Sequence, residues 1–226
     1  MIKIRLEFAT KTYKRGNENV HALDNCNLEV NTGDFLSIIG PSGSGKRTLL
    51  KAISTSLQLT SGKLYIDEED ASVKSDIEKY RLRSEKIGYV VQNFILLPHE
   101  TVYENIRLPL IYNKKIEKRE HKQRIHRTAE ILGITHLLKT KTEKLSGGES
   151  QRVAIARATC GDQEIILADE PTGALDTENR EIIMNMFEIL NTEYNKTVLI
   201  VTHDAYVASK CKTHYKMVDG VLHTRD

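Results

Sequence analysis

Gly40-Pro41-Ser42-Gly43-Ser44-Gly45-Lys46-Arg47-Thr48 decides how this chain folds. It follows an apolar segment, 35–39, and opens into Leu49-Leu50-Lys51-Ala52-Ile53, whose composition suits a helix. Strand, glycine loop and helix in that order make G-x-x-x-x-G-K-[ST] a phosphate cradle, because glycines let backbone N–H groups converge on oxyanions while a helix N-terminus faces them. Lys46 is expected to reach the outer phosphates. One position departs from the pattern: the residue after the lysine should offer a hydroxyl to Mg²⁺, and here it is Arg47, whose guanidinium has no lone pair for a metal.

The 226 residues suffice for one large or two small domains, and 39% apolar with 28% charged residues is ordinary for a globular protein. Thirty-three basic against 31 acidic residues leave a net charge of +2, so no global field argues for nucleic acid. The basic run 118–122 carries no interleaved aromatics and reads as a solvated helix face. Cys26, Cys160 and Cys211 are far apart, odd in number and outside any metal-ligand spacing, as expected of free thiols in a reducing cytosol. No apolar run approaches the ~18 residues needed to span a bilayer, so any membrane role is expected to pass through a partner chain.

Ahead of the glycine loop, 2–8 alternates strictly as a half-exposed strand, 10–19 suggests a turn, and a second strand is expected around 28–30. Tyr13, a lone aromatic, reads there as a packing residue. A strand at 64–66, an exposed and partly helical run over 67–83, and a buried strand at 87–91 ending on Gln92 come next. The texture then turns helical, with Val102, Ile106, Leu108 and Leu110 in one helix and Ile125, Ala129 and Leu132 in a second spanning 116–133. Ser146-Gly147-Gly148 opens another helix and forms a second potential anion site. The apolar run 165–168 ends in Asp169-Glu170, where parallel sheets keep their ligands. Helix 178–194 with Ile182, Met186, Ile189 and Leu190 inward, strand 197–201, helix 205–211 and strand 215–218 close the chain. This alternation implies right-handed crossovers in a mostly parallel sheet.

The glycine loop, Leu145-Ser146-Gly147-Gly148-Glu149, Asp169-Glu170 and His203, in that order over nearly the whole chain, resemble the ATP-binding subunit of an ABC transporter. The resemblance implies an α/β fold: a P-loop NTPase core of mostly parallel sheet, an N-terminal antiparallel β-region and a helical insertion subdomain. It makes 1–226 one ATP-binding domain, with 1–92 and about 145–226 as nucleotide-binding core and about 93–144 as helical subdomain. Gly40 to Thr48 then resembles the Walker A loop, including Pro41, Ser42, Gly43, Ser44, Gly45, Lys46 and Arg47. Gln92 resembles the Q-loop residue, Ser146, Gly147 and Gly148 the signature motif, Asp169 the Walker B aspartate, Glu170 the catalytic base, Asp176 the D-loop aspartate and His203 the switch histidine. In that company Tyr13 resembles the aromatic that stacks on adenine.

The cofactors implied are ATP and Mg²⁺, with Glu170 polarising the attacking water, Lys46 and His203 offsetting charge on the γ-phosphoryl oxygens, and Asp169 and Gln92 completing the metal shell. In this family the signature loop closes over the nucleotide of a second chain, so the resemblance implies a nucleotide-dependent homodimer docked on an integral membrane permease, cytoplasmic and peripheral on the inner face of the membrane, with no nucleic-acid partner. Translation and DNA-repair relatives carry two cassettes or long insertions, which this length does not accommodate.

The run Asn93-Phe94-Ile95-Leu96-Leu97-Pro98 and the run Pro171-Thr172-Gly173-Ala174-Leu175-Asp176 resemble the branch serving lipoprotein release, macrolide efflux, cell-division signalling and antimicrobial-peptide resistance. The segment 203–211 leans toward the peptide-resistance members. In this branch a coupling helix of the permease is expected beside 94–98. Arg47 leaves three outcomes open: loss of a direct Mg²⁺ ligand and slowed hydrolysis, a guanidinium that replaces part of the metal's charge, or a side chain turned to solvent with water in the vacant coordination position. Thr48 is a poor substitute, since one residue along a helix turns the side chain by about 100°. Impaired Mg²⁺-dependent hydrolysis with ATP binding retained is the expectation, and a non-hydrolysing structural or regulatory subunit of a membrane complex is the alternative.

Overall fold

The computed structural model describes residues 1–16 and 18–224. Asn17, inside the turn expected at 10–19, lies outside the described residues, as do Arg225 and Asp226 at the end of the expected domain. In chain order the elements are β1 (Ile2–Arg15), β2 (Glu18–Asn31), β3 (Phe35–Ile39), α1 (Lys46–Ile53), β4 (Ser61–Ile66), β5 (Glu69–Asp70), α2 (Asp76–Lys86) and β6 (Ile87–Val90). There follow α3 (Val102–Tyr112), α4 (His121–Ile131), α5 (Gly147–Thr159), β7 (Ile165–Asp169), α6 (Thr177–Thr192), β8 (Thr197–Thr202), α7 (Ala205–Ser209), β9 (Thr213–Val218) and β10 (Val221–Thr224).

Two sheets result. An antiparallel sheet has the order β2-β1-β4-β5, and a six-stranded sheet has the order β10-β9-β3-β8-β7-β6, in which only β10 runs against the others. The strands of the second sheet alternate between two apolar cores, as the two-residue period of a strand requires. Leu36, Ile38, Ile165, Leu167, Leu199 and Val201 join the core shared with α1 and the antiparallel sheet. Phe35, Ile166, Ala168, Val198 and Ile200 join the core shared with α3 to α6. Both faces are therefore covered, which explains why these strands read as continuous apolar runs.

Four expectations need correction. The first strand does not end near 8: β1 runs on to Arg15, and β2 begins at Glu18 rather than around 28. Register shifts between Leu6 and Thr12, with Phe8 at φ 48° and Asn25 at φ 47°, bulge the hairpin and destroy the alternation that would have revealed its length. The helix expected over 116–133 starts only at His121, with Ile116 buried ahead of it, although Ile125, Ala129 and Leu132 face the core as read. In α6, Met186 and Leu190 are buried as read and the half-buried Ile182 packs against the same core, but Ile183, Met184 and Phe187 share that stripe and Ile189 is only half-buried. The helix expected over 205–211 ends at Ser209.

The antiparallel sheet is tied to the parallel one by a charge cluster around the buried Lys3. Lys3 Nζ on β1 donates to Asp67 Oδ1 and to Glu164 Oε2 just before β7, each at 2.5 Å, and Lys86 also donates to Asp67. Burial alone would raise the Asp67 carboxyl, but the two ammonium groups outweigh it and hold the pKa below its ordinary 3.8. A carboxylate held low contributes stability above its unfolded pKa and loses it as pH falls through the folded value. Lys3→Met is expected to cost about 1–3 kcal/mol at pH 7 by leaving a charged acceptor short of a partner. Urea midpoints of the two proteins should converge as the pH is taken below about 4.

Candidate functional site

The glycine loop leaves the sheet at the end of β3, which is paired on one side with β8 and on the other with β9. Packing there excludes side chains: a Cβ at Gly40 would lie 2.1 Å from the Met217 carbonyl oxygen, and one at Gly45 would lie 2.2 Å from that of Ala22. Gly45 also has φ 104°, a left-handed conformation that glycine adopts without a Cβ penalty. Gly45 stands at the N-cap of α1 and has no side chain with which to cap it, so the first-turn N–H groups are left for an anion.

Two side chains in the loop await an oxyanion. Ser44 Oγ is buried and has no hydrogen-bond partner among the described residues. Lys46 Nζ donates to the Gly40 and Pro41 carbonyls at 2.6 and 2.8 Å. Burial pulls the Lys46 ammonium below its ordinary pKa, with Glu170 and Asp169 working the other way. An orphaned buried hydroxyl and a lysine resting on its own loop carbonyls fit a polyphosphate, whose oxygens would satisfy both.

Asp169 ends β7 and is 5% exposed. Glu170 follows with φ 47°, a left-handed conformation that costs a non-glycine residue roughly 1 kcal/mol and is sustained only where neighbours enforce it. The end of β8 does so. Glu170 N donates to the Val201 carbonyl at 2.9 Å, Thr202 Oγ1 donates to Glu170 Oε2 at 3.1 Å, and His203 Nδ1 lies 2.7 Å from Glu170 Oε1. A carboxylate only accepts, so the His203 ring presents an N–H at Nδ1.

Arg47 projects from the first turn of α1 into the same space. Its Nε donates to Asp169 Oδ2 at 2.5 Å and its Nη2 to Gln92 Oε1 at 2.7 Å. The Asp169 bond and charge raise the Arg47 pKa above its ordinary value, so the guanidinium is permanently charged. These are the two residues expected to complete a Mg²⁺ shell. Mg²⁺ demands near-octahedral oxygen ligation at about 2.0–2.1 Å. A donor set in which Asp169 Oδ2 and Gln92 Oε1 already accept from a cation does not fit it.

Together these groups line a cleft of about 530 Å³, formed by 42–48 with Ala22, Gln92, Asp169, Glu170 and His203. Other expected site residues lie elsewhere. Tyr13 stands on β1, 43% exposed, with the Lys11 ammonium 5.3 Å from its ring centre, and does not line the cleft. Ser146 caps α5, its N–H and hydroxyl both donating to Glu149, and Gly147 and Gly148 form the first turn. Asp176 caps α6 by accepting from Asn179 N at 2.8 Å, which holds its carboxyl below the usual range. The Asn179 amide donates to the same carboxylate and fills the space beside Gly148, where a Cβ would lie 2.1 Å from it.

Two contributors escaped sequence reasoning. Ala22 lines the cleft, and Thr202 anchors Glu170 through its hydroxyl. Neither residue type carries a chemical signal on its own. Thr202 could have been found only by asking what the residue before His203 touches.

The family model described as ABC transporter matches residues 23–173. The ABC transporter ATP-binding protein MJ0796 of Methanocaldococcus jannaschii is 46% identical over 91% of this chain and 88% of its own length. Its dimeric structure aligns with a TM-score of 0.90 and 42% identity, covering 97% of this chain and 96% of that one, and a dimer of the same cassette in a post-hydrolysis state bound to ADP and Pi also aligns at 0.90. The lipoprotein-releasing system ATP-binding protein LolD 1 of Chlorobium chlorochromatii is 36% identical over 88% of this chain and 80% of its own length. The macrolide export ATP-binding/permease protein MacB of Syntrophobacter fumaroxidans is 37% identical over 97% of this chain, which spans 31% of that longer protein. This chain therefore belongs to the ABC transporter family, as an ATP-binding cassette of the lipoprotein-release and macrolide-export branch.

Proposed function

We propose that this chain is the ATP-binding subunit that drives a separate membrane permease for lipoprotein release, drug efflux or peptide resistance, and that Arg47 slows its Mg²⁺-dependent ATP hydrolysis. The observation that carries the first half is the division of the site. The cradle, Gln92, Asp169, Glu170 and His203 share one cleft, whereas Ser146 to Gly148 and Asp176 stand outside it. A signature loop that does not reach its own chain's cradle would be completed by a second copy, and the MJ0796 cassette to which this chain is similar is a dimer in both aligned structures.

The residues would divide the work as follows. Lys46 would leave the Gly40 and Pro41 carbonyls for the β- and γ-phosphate oxygens, Ser44 Oγ would gain an acceptor, and the α1 N-terminus would face the same charge. Glu170, fixed by Thr202 and His203, would take the proton of the attacking water, and His203 would then face the γ-phosphoryl group. Tyr13 would meet the adenine, and Gly147, Gly148 and Asp176 would act across the dimer.

For the permease the fitting surface lies beside Gln92. A groove of about 380 Å³ is lined by Lys51, Tyr89, Val91, Asn93 and Ile95, with Ile95 and Leu97 exposed next to it. Residues 93–144 would form the subdomain that meets the permease at the cytoplasmic face. No helix among the described residues is long and apolar enough to cross a membrane, so the spanning segments would come from the partner.

A second reading, a nucleotide-binding subunit that holds a conformation without hydrolysing, is favoured specifically by the Arg47 bridge between Asp169 and Gln92. Steady-state ATPase with Mg²⁺ separates the two. Arg47→Ser is expected to raise kcat at least about tenfold, equivalent to recovering ~1.4 kcal/mol of transition-state stabilisation. Unchanged, already rapid turnover in the parent chain would remove the slowing from the proposal. Glu170→Gln is expected to shift the chain toward a dimer on size-exclusion chromatography with ATP, because the bound nucleotide then persists between the two copies. A chain that elutes as a monomer with ATP in both forms would contradict the paired arrangement.

A further inference from the structure

The Arg47 bridge bears on which form of the nucleotide this cradle accepts. Asp169 is nearly buried, with 7% of its side chain exposed, and its near neighbour Lys46 is committed to the carbonyls of its own loop. The positive charge that such a carboxylate needs is supplied from inside the chain, by a guanidinium that donates at 2.5 Å to Asp169 and at 2.7 Å to Gln92. A divalent ion could bind these two oxygens only by evicting Arg47 or by sitting against a like charge within a few ångströms.

The guanidinium is not exhausted by these bonds. It has five N–H donors, uses two of them here, and keeps 55% of its side chain exposed on the wall of the phosphate cleft. Guanidinium is also the side chain best shaped to accept phosphate oxygens in its donor fork. The formal charges of Lys46, Arg47, Asp169 and Glu170, all on this cleft, sum to zero. With a hydroxyl at 47 the same set would be negative, and a polyanion would need a cation to accompany it.

From this we propose that the cradle takes the metal-free nucleoside triphosphate, with Arg47 standing as a built-in cation in the seat a divalent ion would otherwise fill. The inference rests on the ATP-binding reading above and adds a ligand form to it. Nucleotide occupancy, and any closure it drives, becomes independent of divalent cations in this chain. The same bridge keeps Gln92 fastened to the end of β7 in the absence of metal.

Calorimetric titration of the purified chain with the β,γ-imido analogue of ATP, in Mg²⁺ and again in excess EDTA, tests this without any readout of turnover. The parent chain is expected to bind with affinities within about threefold of each other in the two conditions, whereas Arg47→Ser should lose at least about tenfold on chelation, the usual worth of a lost charge-assisted hydrogen bond. A parent chain that loses tenfold or more in EDTA overturns the built-in cation while leaving nucleotide binding intact. No binding in either condition overturns both the inference and the ATP-binding reading. The parent-chain comparison stands whether or not the variant is well behaved.

Discussion

The shared edge of the parallel sheet is the constraint on which the rest of this molecule depends. In the ladder, Ile39 of β3 is opposite Thr202 of β8, and Val201 of β8 is opposite Asp169 of β7. The glycine loop after Ile39, the carboxylates at and after Asp169 and the histidine after Thr202 therefore emerge within one residue step of each other. Register, rather than any loop, makes them neighbours. A slip of one residue would turn every side chain of a strand to the opposite face. Here that would exchange the residues of two apolar cores, so burial on both sides of the sheet fixes the geometry of the cleft.

The same logic explains which parts were legible in the sequence. Strands buried on both faces announce themselves as apolar runs, so 35–39, 165–168 and 197–201 could be read along with the residues that follow them. The long hairpin of β1 and β2 could not, because its outer half is exposed and its bulges break the alternation near Phe8 and Asn25. The start of α4 was hidden for another reason: the polar run before His121 has a helical composition, but 118–120 wind as a 3-10 turn and Ile116 ahead of them is buried in the core. In the site, residue types and order identified the groups, but partners distant in sequence did not show. Arg47 meets a carboxylate 122 residues later, and three fates for its side chain were chemically open until that contact was seen.

Some of the site lies in the links between its loops. The Asn179 amide donates to Asp176 and at the same time occupies the space that a side chain at Gly148 would need. The α6 cap and the first turn of α5 are thereby packed as one unit, although 28 residues separate Gly148 from Asp176 in the numbering. Glu170 is fastened in a comparable way to the end of β8, through Val201, Thr202 and His203. Each functional loop is held by a neighbouring element's terminus, which is how a strained backbone such as that of Glu170 is sustained.

Arg47 follows from the same demand for satisfaction. A carboxylate as enclosed as Asp169 is costly unless it is paired, and a hydroxyl at position 47 could not pair it. Such a chain would need an ion from solution to complete the strand end, so its charge balance would be set by its surroundings. A guanidinium on the first turn of α1 reaches both Asp169 and Gln92 with a planar fork, which the single point charge of lysine does not reproduce. In this chain the cation that balances Asp169 is part of the polypeptide. On the proposed reading, the capacity to hold phosphate rests on the cradle of Gly40, Ser44, Gly45 and Lys46, whereas the chemistry of cleaving it rests on what occupies Asp169 and Gln92.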